Sequence, residues 1–369
     1  MTDIRARKFA QILVDHSTKV GPGDRVGITA TSAAEPVVKE LFALILDRGG
    51  HPHLLLDFPG QDEIYFDHAN DDQLDYISPF QKMAFEDFEV LIKIRSDTNT
   101  RSLSDVDPAR MARRQKAMSQ LLRAQMQRGA DKTLRWMSTL YPTNAYAMEA
   151  EMGFEAYQDF VFRACHADEG TPDPVAYWQG VEQEQKSIVE RIEGHDRVEL
   201  HGPFVDLSLS IKGRTFRNAS GQHNLPDGEI YTGPVEDSAN GWVRYTYPAV
   251  YQGRVVEGVE LTFEEGKVVK ATARKNQDFL LQMLNTDPGA RFLGEFAIGT
   301  NFEINRFTHN ILFDEKIGGS FHMAVGAGYP ETGSQNKSII HWDMICDMRK
   351  DSEILVDGEV VYKNGGFVF

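Results

Sequence analysis

Residues 25–57 read RVGITATSAAEPVVKELFALILDRGGHPHLLLD, in which two short apolar segments flank an amphipathic one. The flanking segments, 25–29 and 53–57, predict strands. Between them, Pro36 is placed to start a helix, and the pair Gly49-Gly50 is placed to end it. A strand, a helix and a second strand in succession favour a parallel sheet with helices on its faces.

The rest of the N-terminal half continues this pattern. Further strands are predicted at residues 90–94 and 134–140, and helices at residues 4–17, 108–127, 144–166 and 174–193. Neither a GxGxxG motif nor a Walker-type loop is present to bind phosphate. We therefore interpret this half as a scaffold of the α/β class with a parallel sheet.

The pattern changes after Gly194. Short segments of alternating polarity, such as 205–211 and 255–263, are closed by Asp-Gly or Asn-Gly turns. One helix is expected at about residues 275–285. The sequence therefore predicts two domains, an α/β domain over 1–194 and a predominantly β (α+β) domain over 195–369.

Composition narrows the classes of function. The chain has 369 residues, 41% of them hydrophobic and 25% charged, which is typical of a soluble globular protein. Its formal net charge of -16 disfavours binding to nucleic acid or to anionic membranes. The two cysteines lack CxxC spacing, the first residues lack the apolar core of a signal peptide, and no apolar run reaches the ~20 residues of a membrane span. We expect a cytoplasmic protein with neither a membrane nor a nucleic-acid partner.

Candidate metal ligands are concentrated near the C-terminus. His341 and Asp343 are two residues apart in a segment that predicts a strand, so both side chains leave the same face of it. Such a pair can bind one metal ion or reach two adjacent ions. An isolated His-x-Asp motif is more often a structural pair, so this one is informative only together with its neighbours.

Other residues of the right type lie in apolar or glycine-rich surroundings. His322 follows a Gly-Gly turn and precedes small residues, which leave room for a ligand, and Tyr329 lies seven residues further on. Glu295 is enclosed by apolar and small residues, and Glu229 follows a tight Asp-Gly turn. A buried carboxylate is unfavourable unless it is paired or bound to a cation.

Asp314 and Glu315 follow an apolar segment and can point in opposite directions, so at most one of them needs to face the site. Taken together, the carboxylates, histidines and tyrosine form a mixed oxygen and nitrogen ligand set that suits Zn, Co or Mn. Without a nearby cysteine, this set favours a hydrolytic site over a structural zinc site. Carboxylates that bridge two ions are typical of two-metal hydrolases.

Four blocks of this chain resemble the thermophilic metallo-aminopeptidase family of the aminopeptidase T and aminopeptidase S type. They are NLPDGEIYTGP (224–234), LGEFAIGTN (293–301), ILFDEKIGGSFHMAVGAGYP (311–330) and HWDM (341–344). The resemblance implies a dinuclear centre of divalent ions with Glu295 as the bridging ligand. The implied ligands are Glu229, Glu295, His322, His341 and Asp343, with Glu315 as a further ligand.

The resemblance also implies an aminopeptidase that acts on peptides with a free N-terminus and that forms a homodimer. In this scheme, Glu295 or another carboxylate of the site accepts a proton, and Tyr329 stabilises the oxyanion. Two alternatives remain open from the residues alone. One is a metal-dependent hydrolase of another class, an amidase or a phosphoesterase, and the other is a catalytically silent relative that binds peptides.

Overall fold

The computed structural model describes residues 3–369, which form two compact units. The first unit contains the described residues up to Gln179 together with Gly221–Pro226, and the second contains Gly180–Ser220 and Asp227–Phe369. The division into domains 1–194 and 195–369 stays a prediction.

Helices and strands alternate early in the chain, and strands dominate later. The helices are α1 (Ile4–Gln11), α2 (Glu35–Asp47), α3 (Gln61–His68), α4 (Asp71–Asp75), α5 (Pro79–Asp87), α6 (Pro108–Ala130), α7 (Asn144–Glu149), α8 (Phe154–Ala164), α9 (Pro174–Ile192), α10 (Gln277–Leu284) and α11 (Ile311–Asp314). Within residues 3–369, none of the helices has the length and apolar character needed to cross a membrane.

The strands are β1 (Arg25–Thr31), β2 (His51–Asp57), β3 (Val90–Arg95), β4 (Arg135–Leu140), β5 (Arg197–Gly202), β6 (Val205–Ser210), β7 (Arg217–Ala219), β8 (Asn224–Leu225), β9 (Glu229–Thr232), β10 (Asn240–Arg244), β11 (Ala249–Tyr251), β12 (Arg254–Val256), β13 (Glu260–Glu264), β14 (Lys267–Thr272), β15 (Leu293–Gly299), β16 (Ser320–Gly326), β17 (His341–Asp347), β18 (Glu353–Val356), β19 (Glu359–Lys363) and β20 (Gly366–Phe367).

The first unit is built on a parallel sheet of order β2-β1-β3-β4-β8. Val26, Ile28 and Ile92 in its central strands are fully buried. Helix α2 buries an apolar face that includes Leu41 and Ile45, as the sequence predicts for a helix that covers such a sheet. The predicted α/β class of the N-terminal half is confirmed.

The second unit contains mainly antiparallel sheets, which confirms the predicted β character of the C-terminal half. One sheet has the order β14-β13-β10-β6-β5-β18-β19-β20, and a second, here called the site sheet, has the order β17-β16-β15-β9-β7. Phe296, Met323 and Trp342 of the site sheet belong to the same buried apolar cluster as Leu207 and Leu261 of the larger sheet. The hydrophobic core of this unit therefore includes one face of the site sheet.

Three local predictions differ from the structure. The helix expected at 144–166 is interrupted between α7 and α8, where Glu151 has a left-handed φ of 55° that an α-helix cannot contain. The helix expected at 4–17 continues after α1 as a π-helix over Ile12–Ser17. The second unit also has the short helix α11 in addition to the expected helix at α10.

Candidate metal centre

The site sheet places the candidate residues on four neighbouring strands. Glu229 begins β9, Glu295 lies in β15, His322 lies in β16, and His341 and Asp343 lie in β17. Side chains alternate between the two faces of a strand. Because the residues next to His322, His341 and Asp343 pack into the core, the polar side chains gather on the opposite face of the sheet.

Small residues lie between these polar side chains. Ala324 is the cross-strand partner of both Glu295 and Asp343, and Ala297 is a partner of His322. Cross-strand partners share a face of the sheet, so the strand between these two carboxylates contributes only a methyl group at this position. This arrangement leaves space beside the carboxylates for a bound ion.

A β-bulge sets the direction of Glu295. The pairing of β15 with β16 shifts register between Leu293 and Glu295, so that Leu293 packs in the core although it lies only two residues from Glu295. Bulges commonly redirect a side chain in this way. Without the irregularity at Gly294, the period of two would direct Glu295 towards the same side as Leu293.

The side chain of Glu229 is fixed by the turn that precedes it. Gly228 has a φ of 126°, and a Cβ at this position would lie 2.8 Å from the Cβ of Asn301. Both facts favour glycine at this position. The Asn301 side chain also donates a hydrogen bond of 2.8 Å to the Asp227 carbonyl, which holds the turn in place.

The ligand atoms assemble into two overlapping triads. The His322 triad consists of Glu229, Glu295 and His322, and the His341 triad consists of Glu295, His341 and Asp343. Within each triad, one ligand atom per residue lies within 4.8 Å of the others. The two triads share Glu295, the residue expected from the sequence to bridge two ions.

Both imidazole rings present Nε2 to the carboxylates. His322 Nε2 lies 3.4 Å from Glu229 Oε2 and 3.6 Å from Glu295 Oε1. His341 Nε2 lies 3.3 Å from Glu295 Oε2 and 3.4 Å from Asp343 Oδ1. Each carboxylate oxygen of Glu295 therefore faces a different histidine.

The orientation of the His341 ring is set by the backbone. Its Nδ1 lies 2.7 Å from the carbonyl oxygen of Ala327, and a hydrogen bond donated by Nδ1 leaves Nε2 free to bind a metal ion. This carbonyl passes so close to Gly294 that a Cβ there would lie 2.1 Å from it. Gly294 is thus required both at the bulge and beside the carbonyl that orients His341.

Glu315 and Asp314 have different surroundings. Glu315 forms a third triad with His322 and Asp343, again with ligand atoms within 4.8 Å of one another. Asp314 is buried and accepts hydrogen bonds from the backbone and the hydroxyl of Thr308, at 2.7 and 2.8 Å. Asp314 therefore holds a loop, whereas Glu315 faces the candidate ligands.

Lys316 is the component of the site that the sequence interpretation missed. Its side chain is fully buried, its Nζ contacts Glu315 Oε1, and its Nζ lies 3.4 Å from Glu229 Oε1. Burial favours a neutral lysine, but the charges of Glu229 and Glu315 outweigh this effect and raise the pKa of Lys316. A single lysine next to two acidic residues in FDEK is also typical of an exposed loop, so the sequence carries no signal for this role.

Tyr329 borders the triads. The centroid of its ring lies 5.3 Å from that of His341 and 5.5 Å from that of Tyr231, and 41% of the residue is exposed. Desolvation of the hydroxyl, followed by the charges of Glu295 and Asp343, raises the pKa of Tyr329 above its ordinary value. The hydroxyl therefore stays protonated and is able to donate a hydrogen bond.

Mutual pairing changes the pKa values of the triad residues. Burial raises the pKa of Glu229 above its ordinary value, and the charge of the neighbouring Lys316 opposes this effect. Burial would lower the pKa of both imidazoles, but the adjacent carboxylates raise it to about 9 for His322 and about 12 for His341. Burial would raise the pKa of Glu295 and Asp343, yet the imidazoles lower both, that of Asp343 to about 2. Imidazolium–carboxylate pairs therefore balance the charge of the metal-free protein.

Two carboxylate oxygens of the triads are placed to bind a cation. Glu229 Oε2 and Asp343 Oδ1 are buried and make no hydrogen bond, and the nearest imidazole Nε2 lies 3.4 Å from each. A buried carboxylate oxygen without a hydrogen bond is costly, and a divalent ion removes that cost. Carboxylate oxygens together with imidazole nitrogens form a ligand set that suits such an ion.

Comparison with known proteins identifies the family of the chain. The model of the thermophilic metalloprotease (M29) family matches residues 2–367. Aminopeptidase 2 of Geobacillus stearothermophilus is 27% identical over 98% of this chain and 97% of its own length. Aminopeptidase T of Thermus aquaticus is 28% identical over 71% of each chain.

Solved structures support the fold. Wild-type AmpT from Thermus thermophilus has a TM-score of 0.82 at 22% identity and covers 99% of both chains. A 2,5-dihydroxypyridine dioxygenase from Pseudomonas putida has a TM-score of 0.56 at 13% identity over 99% of this chain and 96% of its own. Since a protein named as a dioxygenase shares this fold with AmpT, the fold alone does not specify the reaction. The family model, in contrast, matches nearly the whole sequence and specifies the class of reaction. The chain belongs to the thermophilic metalloprotease (M29) family and is a metal-dependent hydrolase of peptide bonds.

Proposed function

We propose that this chain is an aminopeptidase that hydrolyses the N-terminal bond of peptides with a dinuclear metal centre. The observation that carries the proposal is the sharing of Glu295 by the His322 triad and the His341 triad. Two ligand sets with a common carboxylate suit two ions about 3.5–4 Å apart, as in two-metal hydrolases. The relatives named aminopeptidase 2 and aminopeptidase T support the choice of an N-terminal peptide bond.

The two triads divide the ligands between the ions. Glu229 and His322 would hold one ion, His341 and Asp343 would hold the other, and Glu295 would contact both. Glu315 is a further ligand that faces His322 and Asp343. This oxygen and nitrogen set suits Zn, Co or Mn. When bound, the ions supply Lewis-acid activation of water and of the scissile carbonyl.

The residues of the chain then position the substrate and transfer protons. Tyr329 donates a hydrogen bond from its protonated hydroxyl to the oxygen of the scissile carbonyl as negative charge develops there. Glu295 or another carboxylate of the site accepts the proton released by the attacking water. The formal net charge of -16 favours a substrate that presents a positively charged free N-terminus.

We also propose that the enzyme is cytoplasmic and acts as a homodimer. The cytoplasmic location is supported by the composition, with two buried cysteines that are both free thiols. The homodimer rests on the family resemblance, and the mass of the native protein in solution tests it. A monomeric mass at working concentration would contradict it.

The test of the main proposal combines metal analysis with a substrate panel. The purified chain is stripped of metal, reconstituted with Zn²⁺, Co²⁺ or Mn²⁺, and assayed on aminoacyl anilides, N-blocked peptides and phosphate esters. We expect about two ions per chain and turnover of the aminoacyl anilides alone. Turnover only of N-blocked peptides or of phosphate esters would reject the aminopeptidase in favour of an amidase or a phosphoesterase.

A further inference from the structure

Lys316 lies beside one triad and gives the two triads different electrostatic surroundings. Its buried Nζ lies 3.4 Å from Glu229 Oε1 and contacts Glu315 Oε1. Glu229 is a member of the His322 triad. Glu295 and Asp343 form their ion pairs with the imidazoles of the two histidines. The charge of Lys316 lowers the pKa of Asp343 less than either imidazole does, whereas it is the largest charge effect on the pKa of Glu229.

The ammonium acts on the His322 triad in two ways. It engages one oxygen of Glu229, so that Oε2, the oxygen that faces His322, is the one left for an ion. It also places a positive charge next to the position that a divalent cation would take. Two like charges repel strongly in a buried site, where water screens them little.

We infer that Lys316 weakens cation binding at the His322 triad, so that the His341 triad holds its ion more firmly and fills first. The inference rests on the proposed dinuclear function and assigns an order of filling to its two ions. Lys316 is accordingly a positioning residue, and its charge sets the metal concentration at which the second ion binds. At low metal supply, the enzyme holds one ion, and the second ion exchanges.

Neutral substitutions at Lys316 test the charge separately from the hydrogen bond. Lys316→Gln removes the charge and retains an N–H donor, whereas Lys316→Met removes both at similar length. The exposed Lys270 on β14 provides a matched control, because Lys270→Gln makes the same change of net charge away from the triads. Each protein is stripped of metal and titrated with Mn²⁺, and free Mn²⁺ is counted by electron paramagnetic resonance.

The wild type is expected to bind two ions in separate steps. Both neutral Lys316 variants should strengthen the weaker step at least about tenfold, and Lys270→Gln should change neither step. The shift of melting temperature caused by saturating Mn²⁺ should also be larger in the Lys316 variants, because their unpaired carboxylates destabilise the metal-free form. A weaker step that is unchanged or weakened in both variants overturns the inference, since a purely structural lysine predicts that result.

The wild type and two histidine variants provide a second test that does not depend on substitutions at Lys316. His322→Ala should abolish the weaker step, and His341→Ala should abolish the tighter one. Equal affinities in the wild type, or the opposite assignment of the steps, reject the inference while the dinuclear function stands. A wild type that binds neither Mn²⁺, Zn²⁺ nor Co²⁺ rejects the proposed function and the inference together.

Discussion

Glu295 shows how a single residue combines several constraints. Each of its oxygens faces a different imidazole, at 3.6 Å for His322 and 3.3 Å for His341. Its side chain is nearly fully buried, so it depends on these partners or on cations for compensation of its charge. A substitution of Glu295 should therefore weaken metal binding at both triads.

We therefore expect Glu295→Gln to lose both metal binding and activity. The amide is neutral and offers a single acceptor oxygen, so it cannot bridge two cations. Metal affinity and kcat/KM should each fall by at least about 100-fold, the upper range for loss of a residue that merely supports a ligand. Metal content after dialysis and turnover of an aminoacyl anilide measure the two effects. The exposed Glu359→Gln is the control, and an unchanged metal content in Glu295→Gln would show that the ligands lie elsewhere.

Tyr329 should act on the reaction without acting on the metal. Tyr329→Phe keeps the ring that packs against Tyr231 and His341 and removes the hydroxyl. Loss of one hydrogen bond to a developing oxyanion lowers kcat by about 10²–10³. We expect this decrease with metal content unchanged, measured by steady-state kinetics and elemental analysis. Tyr251→Phe, in a ring that stacks on Trp342, is the control and should retain activity.

At the scale of elements, the bulge in β15 links the sheet to the site. Gly294 lies between the core residue Leu293 and the site residue Glu295, and it also borders the Ala327 carbonyl that orients His341. One irregularity of the backbone thus affects ligands on two strands. The position of a β-bulge is determined by how the two strands pair and not by the side chain of the bulged residue.

Gly294→Ala tests this link. The new Cβ would lie 2.1 Å from the Ala327 oxygen, a contact that the backbone can relieve only by moving. We expect a loss of about 1–3 kcal/mol in the free energy of unfolding and about 10–100-fold weaker metal binding. Urea unfolding and Mn²⁺ titration measure the two. Gly366→Ala, which would meet nothing within 4 Å, serves as control. Equal metal affinity in both variants would exclude this role for Gly294.

In the parallel sheet, an ion pair connects the start of β1 to the residue before β3. Glu89 accepts hydrogen bonds from the backbone and the guanidinium of Arg25, which hold the pKa of Glu89 at about 2, below its ordinary value of 4.5. Since the folded pKa is lowered, the stabilisation is present above about pH 4.5 and is lost as the pH falls towards 2.

Glu89→Gln should therefore destabilise the protein at neutral pH by about 1 kcal/mol, a modest value because both side chains are partly exposed and screened. The difference from the wild type should shrink between pH 5 and pH 2.5, as measured by urea unfolding at several pH values. Glu86→Gln, whose partner Lys82 is 3.9 Å away, controls for the loss of a charge. A difference at pH 2.5 that is as large as the difference at pH 7 would contradict the ion-pair explanation.

For the whole molecule, metal binding should stabilise one unit more than the other. The triads belong to the second unit, and strands β9, β15, β16 and β17 supply most of their members. A ligand present at a concentration 1,000 times its dissociation constant raises the free energy of unfolding by about 4 kcal/mol. We expect chelation to lower the melting temperature by several degrees, and hydrogen exchange to show the loss of protection in these strands and not in β1–β4. A loss of protection spread evenly over both units would contradict a site confined to the second.

The structural similarity to AmpT and to a dioxygenase shows that the fold and the residues of the site contribute different things to function. A protein named as a dioxygenase shares this architecture with AmpT, so the sheets specify where a site can form and the side chains specify what it does. In this chain, the carboxylates of Glu229, Glu295 and Asp343 converge with two imidazoles. We propose that these side chains determine the reaction.

Local patterns in the sequence were sufficient for several predictions. The alternation of strand, helix and strand over residues 25–57 predicted the parallel sheet, because the apolar periods of strands and helices differ. The spacing of His341 and Asp343 placed them on one face of a strand, and both now lie in one triad. The break between α7 and α8 was missed, because the left-handed backbone conformation of Glu151 does not alter the spacing of apolar residues from which the helix was predicted.

By itself, the sequence determined the class of each half, the family and the set of residue types available as ligands. Only the tertiary structure decided which carboxylates meet, because Glu229, Glu295 and Asp343 are far apart in the chain and come together through strand pairing. It also placed Gly294 at a bulge and the buried Lys316 beside Glu229 and Glu315. A bulge depends on the register of two strands, and the burial of a lysine depends on what packs around it, so neither is encoded in residues adjacent along the chain.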